Sequence, residues 1–397
     1  MDEIVVQNLY KIFGPRPQSV FPLLEQGLGK EKILVETGHT VGINNASFAV
    51  RRGEIFVVMG LSGSGKSTLI RCLNRLIEPT RGKVLVEGRD ITALDTAELR
   101  QLRREKLAMV FQRFGLFPHR TVLGNVEYGL EVQGIPAPKR REKARQALEL
   151  VGLTGWEAAY PSALSGGMQQ RVGLARALAT EPEVLLMDEA FSALDPLIRK
   201  QMQDELLNLQ SQVKKTIVFI THDLDEALKI GDRIAIMKDG VIVQIDTPEG
   251  ILRQPRDEYV AAFTQDVDRT KILTAAAVMR NPDALVTSKD GPRVAIRKMR
   301  ELALSSVFVV GKERELRGLV TIDACLAAVQ EGQTHLENIL SSDFPTTRPD
   351  TPLRSLLPTA AQTKVPIAVV DERGTLLGIV VRASVLSGIL GEEVKGA

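Results

Sequence analysis

Gly60-Leu61-Ser62-Gly63-Ser64-Gly65-Lys66-Ser67-Thr68 is the stretch that decides how this chain folds. It fits the pattern G-x-x-x-x-G-K-[ST], with Gly60, Gly65, Lys66 and Ser67 at the specified positions. An apolar run precedes it, residues 55–59 (IFVVM), and a helix-like segment follows, residues 69–76. Strand, glycine-rich loop and helix in that order separate a phosphate-binding loop from a chance glycine turn. The glycines let backbone N–H groups close around an anion, and the new helix directs its positive end to the same place. Lys66 is expected to neutralise β- and γ-phosphates, and the Ser67 hydroxyl to take a Mg²⁺ position. The loop specifies a nucleoside triphosphate and leaves open what its energy drives.

A chain of 397 residues is too long for one hydrophobic core, so two or three domains are expected. Apolar residues at 44% and charged residues at 25% are those of an ordinary globular protein. A net charge of +2 gives no support for nucleic-acid binding, which needs a concentrated basic patch. Cys72 and Cys325 lie far apart without metal-type spacing and read as reduced structural thiols. The opening MDEIVVQNLYKIF is acidic and alternating, unlike a secretory signal. No apolar run approaches the ~20 residues of a membrane span. The expected location is cytosolic, or peripheral to a membrane through a partner.

Outward from the loop, residues 4–6, 41–50, 83–87, 107–111, 184–187 and 216–220 read as strands. Residues 96–104 read as a charged, exposed helix, residues 140–151 are spaced as a helix, and Tyr160-Pro161 marks a break. Strands alternating with helices predict a parallel α/β sheet, with ligands beyond the carboxyl ends of its strands. Residues 14–40 interrupt this pattern. There Phe21, Leu23, Leu24, Leu28, Ile33 and Leu34 suit one or two short amphipathic helices broken at Gly27 and Gly29.

After Phe263 the texture changes: residues 266–271 are polar and charged, as a linker would be, and an internal repeat follows. SSVFVVGKERELRGLVTIDACLAAV (305–329) aligns with VPIAVVDERGTLLGIVVRASVLSGI (365–389), an offset of 60 residues. Each unit reads as strand, polar turn, strand, helix, and two such units are expected to pack on each other.

Four further places carry chemistry. Residues 184–189 (VLLMDE) form an apolar strand ending in Asp188, placed to hold Mg²⁺, and Glu189, placed to take a proton from an attacking water. A solvated acidic turn is the plainer reading of the same dipeptide. In LSGGMQQR (164–171), Ser165 can cap a helix at 168–179, whose bare first turn with Gly166 and Gly167 is a second anion site. One triphosphate loop per chain makes that site redundant within a monomer, so it makes sense when offered to another subunit's nucleotide; a structural N-cap is the alternative. His222, after the strand at 216–220, can bond a γ-phosphate and orient water, and the Gln112 amide can contact both Mg²⁺ and water.

Taken together these residues resemble the ATP-binding subunits of ABC transporters: the Walker A loop at 60–68, the Q-loop Gln112, an LSGGQ-like signature at 164–168, Walker B with Asp188 and Glu189, the D-loop SALD ending in Asp195, and the switch His222. Met168 replaces the usual signature glutamine, and Phe13 sits where the family stacks an aromatic on adenine, with Tyr10 the other candidate. The insertion, the segment MDEAFSALDPLIR (187–199) and the repeat resemble the ATPase subunit of glycine betaine/L-proline uptake systems across nearly the whole chain. The repeat looks like a pair of CBS modules. Its adenylate-binding pattern is altered: Thr321 is followed three places on by Ala324, with Asp323 one place early, while Val381 and Ser384 hold these positions in the second module. Ordinary AMP binding is therefore not expected, and a regulatory or an architectural role stays open.

The resemblance implies a phosphate-loop α/β ATPase domain at 1–265 with a helical subdomain at about 113–170, a linker at 266–279, tandem CBS modules at 280–335 and 336–391, and a tail at 392–397. It implies a head-to-tail dimer with ATP and Mg²⁺ between subunits, a membrane permease as partner, and indirectly an extracytoplasmic substrate-binding protein. Phe114, Leu116, Phe117 and Pro118 make an apolar loop expected at the groove that grips the permease. Another quaternary amine or amino acid as cargo remains an alternative, as does a non-transport ABC ATPase.

Overall fold

Ile55–Met59 and Val184–Asp188 carry almost no polar side chains, and every residue in both is buried. Such runs belong to a sheet covered on both faces. The computed structural model describes residues 1–111, 115–192, 194–265 and 267–390, and places them so. A six-stranded sheet runs from Val241–Asp246 through Arg233–Lys238, Ile55–Met59, Thr216–Thr221 and Val184–Asp188 to Leu107–Val110. All neighbours are parallel except the edge hairpin of the first two strands. The central strands end level, with Met59 opposite Thr221 and Asp188 opposite Ile220.

The strands read at 4–6, 41–50 and 83–87 do not join this parallel sheet. Asp2–Phe13, Thr40–Arg51, Arg81–Val86 and Arg89–Asp90 form a separate antiparallel sheet. Their burial alternates, as expected of a sheet with one face toward solvent. The covered face shares one core with the parallel sheet: Ile4, Val6, Val50 and Val84 meet Phe56, Val58, Leu186 and Ile220, together with Leu69, Ile70 and Leu73 of the helix Lys66–Leu73. That helix begins three residues earlier than its apolar spacing indicates, because its first turn belongs to the phosphate loop. The strand Leu107–Val110 stops before Phe111, which is 39% exposed.

The insertion folds into a 3₁₀ helix, Pro17–Val20, followed by two short α-helices, Phe21–Glu25 and Lys30–Thr37, separated at Gly27 and Gly29. Val20 and Ile33 bury against Ile12 and Val41 of the antiparallel sheet, whereas Leu34 is exposed. Farther on, Val122–Val132, Ala137–Leu150 and Gly166–Ala179 pack on one another through Val126, Leu130, Ala144 and Leu148, among others. Among the described residues no helix is long and apolar enough to cross a membrane.

The chain divides into two compact units, Met1–Gln265 and Asp266–Ala397. In the second, each copy of the repeat forms a three-stranded sheet: Leu285–Thr287, Ser306–Val310 and Leu316–Thr321 in one, Thr346–Thr347, Ile367–Val370 and Leu376–Val380 in the other. Each sheet pairs its first two strands parallel and its last two antiparallel. The copies share a core in which Phe308, Val310 and Leu319 meet Ala368, Leu376 and Ile379. They also exchange backbone hydrogen bonds, Leu316 N–H to the Gly374 carbonyl at 3.0 Å and Leu376 N–H to the Arg314 carbonyl at 2.9 Å. Because Phe308 fills the shared core, Phe308→Ala should destabilise this unit by about 3–5 kcal/mol. Urea unfolding of the full chain measures this, and a change below about 1 kcal/mol would count against a shared core.

Candidate active site

The level strand ends gather the polar residues. Gly60 has φ +152° and Gly65 φ +105°, and a Cβ on either would run into a backbone carbonyl, that of Met237 or Gly42. Only glycine suits either place. Lys66 is buried beneath the loop, where its ammonium donates to the Gly60 carbonyl at 2.8 Å and the Leu61 carbonyl at 3.1 Å. Burial lowers the Lys66 pKa, and the carboxylates of Glu189 and Asp188 draw it back up. The Ser64 hydroxyl is buried in the same loop with no hydrogen-bond partner. Ser62, Gly63 and Thr68 complete the turn and the helix start.

Asp188 ends its strand with 2% exposure. One carboxylate oxygen accepts from Ser67 Oγ at 2.9 Å and the other from Arg71 Nη2 at 3.2 Å. A hydroxyl and a carboxylate side by side are the hard oxygen donors that Mg²⁺ prefers, so the residues present fit that ion. Arg71 escaped the sequence reading. Its only signal is that it lies one helical turn beyond Ser67, on the same face.

Glu189 follows in a left-handed conformation, φ +47°, unusual for a residue with a side chain. Its N–H donates to the Ile220 carbonyl at 3.1 Å, joining it to the neighbouring strand. There His222 Nδ1 comes within 3.6 Å of Glu189 Oε2. Asp223 beside it caps the helix Leu224–Ile230, accepting from Glu226 N–H at 3.1 Å, which fixes the backbone on which His222 stands. Lys66, Ser67, Asp188, Glu189 and His222 are thus brought to one sheet edge.

Phe13 ends the strand Asp2–Phe13 and covers Gly42, where a Cβ would meet both the Phe13 ring and the Thr68 methyl. An aromatic face therefore lies beside the helix that leaves the phosphate loop. Tyr10 instead packs against Phe21 of the insertion, the rings near perpendicular at 78° and their centroids 5.2 Å apart.

The signature residues stand in the helical part. Ser165 caps the helix Gly166–Ala179, its hydroxyl accepting from Met168 N–H at 3.3 Å. Gly167 has a packing reason too, since a Cβ there would strike the Ile198 side chain. Asp195 caps the helix Pro196–Val213, accepting from Leu197 and Ile198 N–H, each at 3.1 Å. Within one chain its carboxylate is thereby engaged with its own backbone. Gln112 and Phe114 lie outside the described residues.

The loop that follows is built from two directions. Fully buried Asn125 accepts from Phe117 N–H at 2.7 Å, and its amide nitrogen reaches the carbonyls of Phe117, Arg120 and Thr121 at 3.0–3.1 Å. Arg176, on the signature helix, donates to the Gly115 carbonyl at 2.7 Å. Phe117 itself packs on Tyr128, centroids 4.6 Å apart.

Residues 43–192 match the ABC transporter family, and residues 275–331 and 336–391 each match the CBS domain. A glycine betaine/carnitine transport ATP-binding protein of Listeria monocytogenes is 57% identical over 395 residues, 100% of this chain and 99% of that one. A glycine betaine/proline betaine transport system ATP-binding protein of Escherichia coli is 49% identical over 396 residues, 99% of either chain. Among solved structures, a dimeric bacterial ABC transporter cassette superposes with TM-score 0.53 at 32% identity, covering 62% of this chain and 98% of that one. A post-hydrolysis dimer of an ATP-binding cassette with ADP and phosphate gives TM-score 0.52 at 32% identity over the same shares.

Gly60→Ala tests the loop geometry directly. Forcing a Cβ against the Met237 carbonyl at this backbone angle costs about 1–3 kcal/mol, so ATP affinity should fall by about tenfold or more. Equilibrium binding of labelled ATP measures it, and wild-type affinity in a folded variant would refute the close-approach argument.

Proposed function

This chain belongs to the ATP-binding subunits of ABC transporters of the glycine betaine type, ATPases coupled to transport, and from that premise we propose how its residues divide the work. The observation that carries the proposal is the shared sheet edge, where Ser67 and Asp188 meet at 2.9 Å and Glu189 and His222 approach to 3.6 Å. ATP is taken with its adenine on Phe13 and its phosphates in the loop from Gly60 to Thr68. Lys66 then exchanges the Gly60 and Leu61 carbonyls for phosphate oxygens. Ser67 and Asp188, with Gln112 as the further ligand the resemblance implies, would hold Mg²⁺, which would supply neutralisation of the phosphate charge. Glu189 accepts the proton of the attacking water, and His222 holds that water and the γ-phosphate in line.

The site is completed by a second copy of the chain. Ser165, Gly166 and Gly167 of that copy present a helix start to the γ-phosphate, and Asp195 lies at the same junction. Closure on ATP is a population shift driven by contacts that hydrolysis removes. The loop around Phe117 meets the cytoplasmic face of a membrane permease, and a binding protein delivers cargo from the other side. The cargo is glycine betaine or a related betaine, in keeping with the names of the relatives. The CBS pair serves regulation.

Glu189→Gln should keep ATP binding, lower steady-state hydrolysis by about 10²–10⁴-fold and leave a dimer that persists with ATP. Hydrolysis near the wild-type rate would remove Glu189 from the role of base. Uptake of labelled glycine betaine into membranes holding the permease, competed with choline, carnitine and proline, tests the cargo. Preference for any competitor would overturn that assignment.

A further inference from the structure

Neither the ATPase chemistry nor the family assignment gives the insertion at residues 14–40 a task. Its second helix, Lys30–Thr37, follows Gly29 and has Lys30 and Glu31 in its first turn, so Lys30 stands at the helix end that disfavours positive charge. Lys30 is half-buried, and its ammonium donates to the Gly63 carbonyl, inside the phosphate loop, at 2.7 Å.

The peptide group that Lys30 holds is gripped at its other end as well, since Ser64 N–H donates to the Leu61 carbonyl at 3.1 Å. That same carbonyl accepts from Lys66 at 3.1 Å. A chain of hydrogen bonds therefore runs from the insertion, through one peptide plane of the loop, to the lysine that must release its carbonyls to meet phosphate. The helix carrying Lys30 is anchored independently, by Ile33 against Ile12 and Val41 and by the ring of His39, whose Nε2 lies 2.6 Å from the Pro15 carbonyl.

We propose that Lys30 is a positioning residue for the phosphate loop, supplied by the insertion, which holds the Gly63–Ser64 peptide in the orientation that receives ATP. It acts through the loop and does not contact the reacting atoms. A carbonyl drawn outward by a cation leaves the loop interior to N–H groups, which an anion requires. The proposal rests on ATP binding at the loop, so wild-type binding is the control that separates failure of that reading from failure of this one.

The experiment measures ATP affinity, KM and kcat on the full chain for wild type, Lys30→Met and Lys30→Arg, with thermal melting in the absence of nucleotide. Losing one hydrogen bond from a charged donor should weaken ATP binding about tenfold in Lys30→Met. KM should rise by a similar factor with kcat little changed and melting unaltered. Lys30→Arg, which keeps a cationic donor, should return to within about threefold of wild type. Unchanged affinity in Lys30→Met would overturn the proposal. So would loss of affinity that tracks a lowered melting temperature and is not rescued in Lys30→Arg, since Lys30 would then only support the insertion's fold.

Discussion

A carboxylate taken almost wholly out of water has to be satisfied on both oxygens, and Asp188 meets that demand through a single helix. Ser67 and Arg71, one turn apart on Lys66–Leu73, each bond one of its oxygens. Losing Ser67 would leave one buried oxygen without its donor, and losing Arg71 would remove the cation paired with the other, each a cost above the worth of an exposed ion pair. The pairing fastens the helix that leaves the phosphate loop to the strand that delivers Glu189. Because Asp188 stands opposite Ile220, it also fixes the depth at which His222 emerges. Shift that contact and the loop, Glu189 and His222 no longer share an edge.

Much of this was legible from residue order, for reasons that differ from place to place. The phosphate loop could be read because its geometry is local: a lysine and a serine behind glycines whose backbone no other residue adopts. The repeat could be read because the same strand pair recurs at a fixed offset, down to Gly318 and Gly378. The antiparallel sheet was not legible, since alternation at 4–6 and 41–50 announces a strand but says nothing of its partner. Residues 107–111 read as one strand from their apolar run, yet the strand ends one residue sooner, before Phe111. Arg71 and Lys30 were missed because their meaning is tertiary: an arginine in a helix and a lysine in an insertion look like solvent-facing charges until the fold brings them to Asp188 and Gly63.

Glu189 shows how the fold holds a residue in an unfavourable backbone state. A left-handed φ of +47° on a glutamate costs of the order of 1–3 kcal/mol and persists only because the surroundings enforce it. The Ile220 carbonyl takes its N–H, and its own carbonyl accepts from Ser192 Oγ at 2.9 Å. The chain thereby turns sharply off the sheet, and the carboxylate is left facing His222 rather than the core.

The loop held by Asn125 has a consequence for energy transmission. With its main-chain groups engaged by one buried amide and its leading carbonyl tied to Arg176, the segment from Gly115 to Thr121 is ordered before any neighbour arrives. A partner that docks there pays little of the entropy that ordering a slack loop would demand. Through Arg176 the signature helix and this segment are joined in one hydrogen-bonded unit, so neither can be displaced without straining the other.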